Sequence, residues 1–286
     1  MASTATTGNL ENAQRIIIAT SRYTEEHNAP AAALCEQFTL PQGSKQVTVP
    51  KISLMTMSDL QDGIDIIDEE DIGMTTVDLT ASEVGAKIII TDKLARQSAE
   101  NVFSMIGRQL GDGMARKKDA DVLALYSGFS TDIGSAGRTM SLANVSAAVA
   151  YAKGNKFGSN VYMVHHPFAV WDIANTAVTA STTYPVPAGW SADLLGNFFS
   201  GLRPINGVPI FEDGNITVDA LDDAVGVIAD RSALAVLKSV DTKTERQRDA
   251  SLRSTEVIIT ADYGVFELDD SKGVALTLDA GTPVTA

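Results

Sequence analysis

The chain has 286 residues, 44% of them hydrophobic, which is enough for one large hydrophobic core or two modest ones. Its formal net charge of −14 argues against non-specific binding to nucleic acids or anionic membranes, because the long-range field of the protein repels polyanions. The N-terminal residues lack a basic stretch followed by a long apolar run, and no run of about 18 apolar residues occurs, so we expect neither secretion by that route nor a membrane span.

The first fifty residues predict an arm and not a self-contained unit. A short helix is predicted over residues 11–22, and the segment after it has no amphipathic face long enough to form its own core. We therefore expect this arm to become ordered only on its neighbours. The single cysteine, Cys35, lies in the apolar run AAALCEQF, which predicts a buried, unreactive thiol and a cytosolic redox compartment.

Two β-rich segments flank a strongly acidic stretch. The segment QVTVPKISLMTM, which begins at Gln46, alternates as a strand does, and Pro50 within it indicates an edge strand or a break. The β-branched segment TTVDLTASEVGAKIIITD follows the acids. This order predicts a long two-stranded excursion with the acids at its tip. We name these acids the acidic segment, and they are Asp59, Asp62, Asp65, Asp68, Glu69, Glu70 and Asp71.

A helical pattern of unusual length comes next. Apolar residues recur at helical intervals over 93–126, Thr91 or Asp92 can cap the first turn, and Gly128 suits the C-terminal stop. A continuous helix of these 34 residues would be about 51 Å long. Three glycines interrupt it, at roughly 1 kcal/mol each relative to alanine. They predict either a bend or close packing against a neighbouring backbone, and they are Gly107, Gly111 and Gly113.

The second half of the chain alternates helices and strands before it becomes extended. Ser141 is positioned to cap a helix that Gly154 closes, NVYMV predicts a strand, and Pro167 suits the start of another helix. Further helices are predicted at SADLLGNFF and RSALAVLK, and short buried strands at GVPIFED and AVGVIA. From residue 241 onward we predict extended strands, with DDSKG as a tight turn between two of them.

Familiar catalytic and nucleotide-binding motifs are absent from the sequence. GDGMAR has two glycines at the interval of a phosphate-binding loop, but Arg116 stands where the third glycine belongs, and the segment lies within the predicted helix. His165 and His166 are adjacent near a predicted strand, so they point to opposite faces and cannot together bind one metal from that strand. We expect them to be polar structural residues at the strand end. Neither a GxSxG nor an HExxH pattern occurs.

The acidic segment has several interpretations. Four of its aspartates recur at every third residue and Gly73 follows them, unlike the ligands of a helix-loop-helix calcium loop, so a bound cation would be adventitious. Acid–base catalysis needs carboxylates in different environments, which a hairpin tip does not supply. Solvated acids are the simplest interpretation. A more specific hypothesis is that the segment lies over a basic cluster of a neighbouring copy, within a screening range of roughly 8 Å. That basic cluster is Arg116, Lys117 and Lys118.

The order of these elements resembles the major capsid proteins of tailed bacteriophages, which have the α+β Hong Kong 97-type fold. The segments that carry the resemblance are FTLPQGSKQVTVPKIS, DGIDI, SEVGAKIIITDKLARQSAENVFSMIGRQLGDGMARKKDADVLALYSG, VYMVHHPFAVWDI, GVPIFED and GVFELDDSKGVALTLDAGT. They cover nearly the whole chain. Their order carries the likeness, because none of them is a chemically diagnostic motif.

The resemblance implies a division of the chain and a structural, non-enzymatic role. The implied parts are an N-terminal arm at 1–49, an extension loop (β-hairpin) at 50–90, a peripheral domain with a spine helix at 91–139, an axial domain at 140–238 and peripheral-domain strands at 239–286. The resemblance also implies self-assembly, in the bacterial host cytoplasm, into the pentamers and hexamers of an icosahedral virion capsid. The shell would enclose DNA without binding it specifically, and no cofactor, metal or membrane is implied.

Further partners follow from the same resemblance. Members that carry their own scaffold have a long helical N-terminal extension, which this sequence does not show, so we expect a separate scaffolding protein or removal of an extension before this sequence begins. A portal and decoration proteins are further expected partners. As in related capsids, the glycine-bearing helix should change curvature between precursor and mature shells.

Two alternative functions remain open. The alternatives are an encapsulin-like compartment, which would have the same fold, and, more remotely, a metal-dependent hydrolase that uses the acidic segment.

Overall fold

The structure is a computed structural model that describes residues 30–52, 59, 73–93, 102–178 and 207–283. Its helices are α1 (Pro30–Leu34), α2 (Val102–Ala124), α3 (Leu142–Gly154) and α4 (Pro167–Val178), with 3₁₀ turns at Leu125–Gly128, Arg231–Ala233 and Asp270–Lys272. Its strands are β1 (Glu36–Thr39), β2 (Gln46–Ile52), β3 (Met74–Thr80), β4 (Ser82–Thr91), β5 (Val161–His165), β6 (Ile210–Glu212), β7 (Asp223–Asp230), β8 (Leu234–Asp249), β9 (Ser254–Glu267) and β10 (Gly273–Asp279). The helices predicted over 11–22 and at SADLLGNFF lie outside the described residues.

Two four-stranded sheets and a two-stranded hairpin form the β-structure of the described residues. The first sheet has the order β1-β8-β9-β4, and the second has the order β10-β7-β5-β6. The hairpin pairs β2 with β3 in antiparallel register, from Gln46 opposite Thr80 to Ile52 opposite Met74. The strands β8 and β9 are the longest elements of the first sheet. Strand β8 follows β7 after a single 3₁₀ turn, so a connection of 3 residues joins the two sheets.

The helix predicted around the three glycines is confirmed over the described range. Helix α2 runs without interruption from Val102 to Ala124 and continues into the 3₁₀ turn that contains Tyr126. Its inner face buries Leu110 and Met114 against Ile259 of β9, as the helical spacing of apolar residues requires. Residues 94–101 of the predicted helix lie outside the described part of the chain.

The caps predicted for the next elements are also confirmed. Ser141 precedes α3, and its side chain accepts a hydrogen bond from the backbone N–H of Asn144 at 3.3 Å. Helix α4 begins at Pro167, where the missing N–H of proline leaves no backbone partner unsatisfied. Helix α3 and the second sheet contribute to one large hydrophobic core, whose buried members include Val149 and Ile228.

The described part of the N-terminal segment packs on its own chain, which corrects the expectation that the whole arm is ordered only by neighbours. Ala31 of α1 and Cys35 are buried in the large core. Strand β1 pairs in parallel with β8, from Glu36 opposite Ala235 to Thr39 opposite Lys238. A segment that is too short to build a core alone can therefore complete the core of the trunk. The prediction that the Cys35 thiol is buried is confirmed.

The segment returning from the acidic segment divides into two strands with different partners. Strand β3 completes the hairpin with β2, whereas β4 begins after Ala81 and pairs along its whole length with β9 of the first sheet. Pro50 lies within β2, opposite Thr76. Since β2 has only β3 as its partner among the described residues, the prediction of an edge strand at Pro50 is confirmed.

The helix predicted at RSALAVLK is wrong. Residues Arg231–Ala233 form one 3₁₀ turn, capped by the Asp230 carboxylate, and β8 starts at Leu234. The four residues from Leu234 to Leu237 are all buried, so both faces of the strand are covered. A short, continuous apolar run suits a doubly covered strand as well as a buried helix, and its spacing alone does not distinguish them.

The turn predicted at DDSKG is confirmed, but the two strands around it are not neighbours. Asp269 caps the 3₁₀ turn by accepting the backbone N–H of Ser271 at 3.0 Å. Strand β9 before the turn lies in the first sheet, and β10 after it pairs with β7 in the second sheet. The turn therefore carries the chain from one sheet to the other. The division of the chain into arm, loop and domains remains a prediction.

Candidate assembly surface

The hairpin packs on the trunk along one face. Leu79 of β3 is fully buried in a small cluster with Ala235 and Leu237 of β8. Gly264 of β9 allows the end of β3 to come close, because a Cβ atom at that position would lie 2.2 Å from the carbonyl oxygen of Thr80. The hairpin is thus fixed where it leaves the first sheet.

An ion pair reinforces this attachment. The Nζ atom of Lys51 lies 2.6 Å from Oδ1 of Asp269, in the turn after β9. Burial raises the pKa of Asp269, but hydrogen bonds from Lys51 and Ser271 outweigh burial and leave the pKa below its usual value. The carboxylate therefore stays ionised and paired with Lys51 over the whole neutral range.

Most of the acidic segment lies outside the described residues. Asp59 is described and is exposed to solvent. The predicted contact candidates that fall outside the description are Asp62, Asp65, Asp68, Glu69, Glu70 and Asp71. Their proposed contact with the basic cluster remains a prediction.

The three residues of the basic cluster have different surroundings. Arg116 and Lys117 are exposed on α2, and the Nζ atom of Lys117 pairs with Oδ1 of Asp121 one turn along the helix, at 2.5 Å. The Nζ atom of Lys118 lies 5.5 Å from the centre of the Tyr263 ring, in a cation–π contact. The Tyr263 hydroxyl in turn donates to Oδ2 of Asp121 at 2.7 Å. The cluster is therefore partly engaged with its own chain through Lys117 and Lys118.

The three glycines of α2 also differ from one another. Gly107 and Gly111 are buried, one turn apart, whereas Gly113 is exposed and has no atom within 4 Å of a Cβ added there. The buried pair lies on the face that packs on the trunk. A bend at Gly107, Gly111 and Gly113 remains a prediction, as does its alternative of close packing against a neighbouring backbone.

The first of the two adjacent histidines, His165, stabilises the second sheet. His165, the last residue of β5, is fully buried, and its Nε2 lies 3.1 Å from the carbonyl oxygen of Leu276. Its Nδ1 accepts the backbone N–H of His166 at 2.9 Å. Burial lowers the pKa of His165 to about 4. A neutral imidazole with its proton on Nε2 satisfies both contacts, which agrees with the predicted structural role at the strand end.

Other chemistry receives little support from the described residues. Burial raises the pKa of the Cys35 thiol to about 12, so it is a poor nucleophile. Within the described ranges, no three His, Cys, Asp or Glu side chains converge on a point where a metal ion would bind. Nor is any described helix both long enough and apolar enough to cross a membrane.

Asp119 is a buried polar group that the sequence analysis did not single out. Asp119 of α2 is fully buried and contacts the N-terminal segment and Asn215. A signal was present, because the helical spacing of Ala115, Val122 and Tyr126 places Asp119 on the same buried face. A carboxylate at a core position of a helix is rare unless it is paired, so its position on the apolar face was the clue.

Comparison with solved structures finds this fold in phage capsids. The structure of Mycobacterium phage Che8 is 18% identical with a TM-score of 0.66, over 82% of this chain and 84% of that chain. The mature capsid of bacteriophage PhiM1 is 18% identical with a TM-score of 0.63, and the match covers 88% of this chain and 87% of the PhiM1 chain. The capsid of a native GTA particle is 11% identical with a TM-score of 0.68, and the match covers 87% of this chain and 90% of the GTA chain.

Sequence comparison adds nothing to this likeness: no protein-family model matches the chain, and no curated protein matches it. The structural similarity nevertheless extends over more than four fifths of both chains in each pair. It confirms the resemblance to tailed-phage capsid proteins at the level of fold. The chain therefore has the mixed α+β Hong Kong 97-type fold.

Proposed function

We propose that this chain is the major capsid protein of a tailed bacteriophage, with a structural and non-enzymatic role. In this proposal it assembles in the bacterial host cytoplasm into pentamers and hexamers, and these close into the icosahedral shell of the virion around the DNA genome. The observation that carries the proposal is the likeness to phage capsid structures over most of both chains. A fold alone does not define a function, so assembly must be measured directly.

The attachment of the hairpin supports assembly on physical grounds. Among the described residues β2 and β3 pair only with each other, and one face of the hairpin packs on the trunk through Val49, Val77 and Leu79. A two-stranded hairpin is marginally stable alone in water. Packing on a neighbouring copy would bury more of its surface, so association and ordering of the hairpin would reinforce each other.

The acidic segment would guide this packing. We propose that it lies over the basic cluster of an adjacent copy, with Arg116 as the main contact because Lys117 and Lys118 are already engaged on their own chain. Complementary charges at the rim of an interface increase the association rate and fix the register more than they increase affinity. The contact should therefore weaken as salt rises.

Charge reversal tests this contact. We expect lysine at Asp68, Glu69 and Glu70 to slow assembly at low salt and to remove most of its salt dependence. A matched control reverses the same number of charges at Glu83, Asp241 and Glu245, which are exposed on the first sheet. Equal assembly rates of the variant, the control and the unmodified chain across salt concentrations would contradict the contact.

The remaining partners follow from the proposed role. A separate scaffolding protein, a portal and decoration proteins would complete the particle. The net charge of −14 would repel the packaged DNA and prevent non-specific binding to the inner surface, so the genome could enter and leave. We also propose that α2 changes curvature near its glycines between precursor and mature shells. Cryo-microscopy of both shells tests this, and equal helix curvature in the two states would refute it.

Negative-stain electron microscopy of the overexpressed full chain tests the main proposal. We expect rings, closed shells or irregular shell fragments built from many copies, and closed particles from infected cells should contain DNA. Leu79→Asp provides a matched variant, because it disrupts the buried base of the hairpin, and it should reduce assembly. A compact monomer that persists at high protein concentration would overturn the proposal, and particles that enclose an enzyme would indicate a cargo compartment.

A further inference from the structure

Two buried carboxyl groups connect three separate segments of the chain. Oδ1 of Asp119 accepts the backbone N–H of Ala31 in α1 at 3.1 Å, and Oδ2 accepts the side-chain amide of Asn215 at 2.9 Å. Asp213, which directly follows β6, is only 3% exposed, and Asn215 bridges it to Asp119, because the Asn215 backbone N–H donates to Asp213 while its side-chain amide donates to Asp119. The long helix α2 is thus joined through one side chain to α1 and to the second sheet.

One oxygen of this group lacks a donor. Oδ1 of Asp213 accepts the backbone N–H of Asn215 at 2.9 Å, and the Asp213 backbone N–H donates to the carbonyl of His165 at 3.1 Å. Oδ2 of Asp213 is buried without a hydrogen-bond partner among the described residues. A buried carboxylate oxygen left unsatisfied is destabilising. A proton on the neighbouring Asp119 carboxyl would supply the missing donor.

The surroundings favour such a proton. Two adjacent buried carboxylates are not both ionised without a large penalty. Burial, followed by the neighbouring Asp213, raises the pKa of Asp119 to about 7. No described lysine or arginine forms an ion pair with either carboxyl. The titratable groups that face the pair from the surrounding elements are Cys35, Tyr126 and His166, and Tyr162 and Arg231 lie beyond Cys35.

We propose that Asp119 and Asp213 share one proton and form a proton-dependent clasp that holds α2 to α1 and to the loop after β6. With the proton present, every oxygen of the pair has a partner and the clasp is closed. When the proton is lost to solvent, two buried carboxylates repel each other and the clasp opens. This inference does not depend on the proposed function.

The direction of the pH effect follows from proton counting. Between about 4, the ordinary carboxyl pKa, and about 7, the folded chain holds one proton that the unfolded chain has released. The stability from the clasp is therefore fully present at low pH and is lost as pH rises to about 7. Over that window the unfolding equilibrium constant should rise about tenfold per pH unit from this source.

Asp213→Asn provides the decisive variant. Its amide can donate directly to an ionised Asp119, while the oxygen that accepts the Asn215 N–H is retained, so the clasp stays closed without a shared proton. The ratio of the unfolding constant of the unmodified chain to that of the variant should rise from pH 5 to 7, by at most about tenfold per pH unit, and then level off. Burial of Asp119 and the other titrating groups affect both chains, so their contributions cancel in the ratio. The control is Asp223→Asn, which replaces a buried aspartate that lies away from the pair and accepts the backbone N–H of Gly137, and it shows what such a replacement does to stability elsewhere in the core.

A local measurement covers the case in which a variant folds poorly. Hydrogen exchange of the Ala31 amide in the full chain, expressed as a protection factor, should fall as pH rises through about 7. Infrared spectroscopy should show one buried protonated carboxyl disappearing over the same range, and Asp119→Asn should lack that band. A flat ratio for Asp213→Asn, or constant Ala31 protection between pH 5.5 and 8.5, about one and a half units either side of the expected midpoint, would overturn the clasp.

Discussion

The ammonium group of Lys51 lies 2.6 Å from the carboxylate of Asp269, and this contact joins the hairpin to the turn that connects the two sheets. Lys51 is the penultimate residue of β2, opposite Thr75 of β3. The contact is largely exposed on the lysine side. Its main effect should therefore be on the direction of the hairpin and not on global stability.

Replacing Lys51 with methionine should leave the free energy of unfolding within about 1 kcal/mol of its original value, because exposed ion pairs contribute little. The amides of β2 and β3 should nevertheless exchange faster, since the hairpin loses one of its tethers. Lys45→Met is a matched control, because Lys45 is exposed just before β2. Equal exchange rates in the two variants would show that the ion pair does not orient the hairpin.

The packing of α2 on the first sheet predicts a large effect at Leu110. Leu110 is buried between α2 and β9, so Leu110→Ala should lower the free energy of unfolding by about 2–5 kcal/mol. Met105, on the same helix, is 68% exposed, and Met105→Ala should change it by less than about 0.5 kcal/mol. Denaturant unfolding of dissociated subunits measures both. Equal losses would mean that α2 does not pack as the structure shows.

The sequence was sufficient to locate α2, because a helix packed on one side repeats its apolar residues at a fixed interval. It was also sufficient for the caps at Ser141 and Pro167, since capping depends on local backbone chemistry. It was insufficient for β8, where a run buried on both faces carries no periodicity. Sheet membership is a tertiary property, so the separation of β9 from β10 could not be predicted from the turn between them.

The candidate site shows the same limit. Spacing could place Arg116, Lys117 and Lys118 together on the helix, but it could not show that Tyr263, far along the chain, engages Lys118 and Asp121. Likewise, the acidic character of Asp119 is visible in the sequence, whereas its neighbour Asp213 is brought to it only by the second sheet. Contacts between distant segments depend on the fold, and local patterns do not encode them.

Close packing between β5 and β7 predicts a strong effect at Gly226. A Cβ atom there would lie 2.2 Å from Cδ2 of His165 and 2.6 Å from the carbonyl oxygen of Val164. Gly226→Ala should therefore displace His165 or the strand and lower the free energy of unfolding by about 1–3 kcal/mol or more. Gly214→Ala is the matched control, because no atom lies within 4 Å of its added Cβ. Thermal unfolding of both variants measures the difference, and a neutral Gly226→Ala would contradict the packing.

Burial of His165 predicts a pH dependence opposite in sign to that of the carboxyl pair. Burial lowers the pKa of His165 to about 4, below the value of about 6.5 for a histidine in the unfolded chain. The stability from the neutral imidazole is therefore fully present above about pH 6.5 and is lost as pH falls toward about 4. One pKa unit corresponds to about 1.4 kcal/mol, so the loss should reach roughly 3 kcal/mol.

His165→Gln isolates this effect. The glutamine amide can still donate to the carbonyl oxygen of Leu276, but it does not titrate. The free energy of unfolding of the unmodified chain, relative to that of the variant, should fall as pH drops from 6.5 to 4, and the His165 imidazole should remain neutral by NMR at pH 5, well above its expected midpoint. A protonated His165 at pH 5 would contradict the assigned contacts, because protonated Nδ1 would point its own N–H at the backbone N–H of His166.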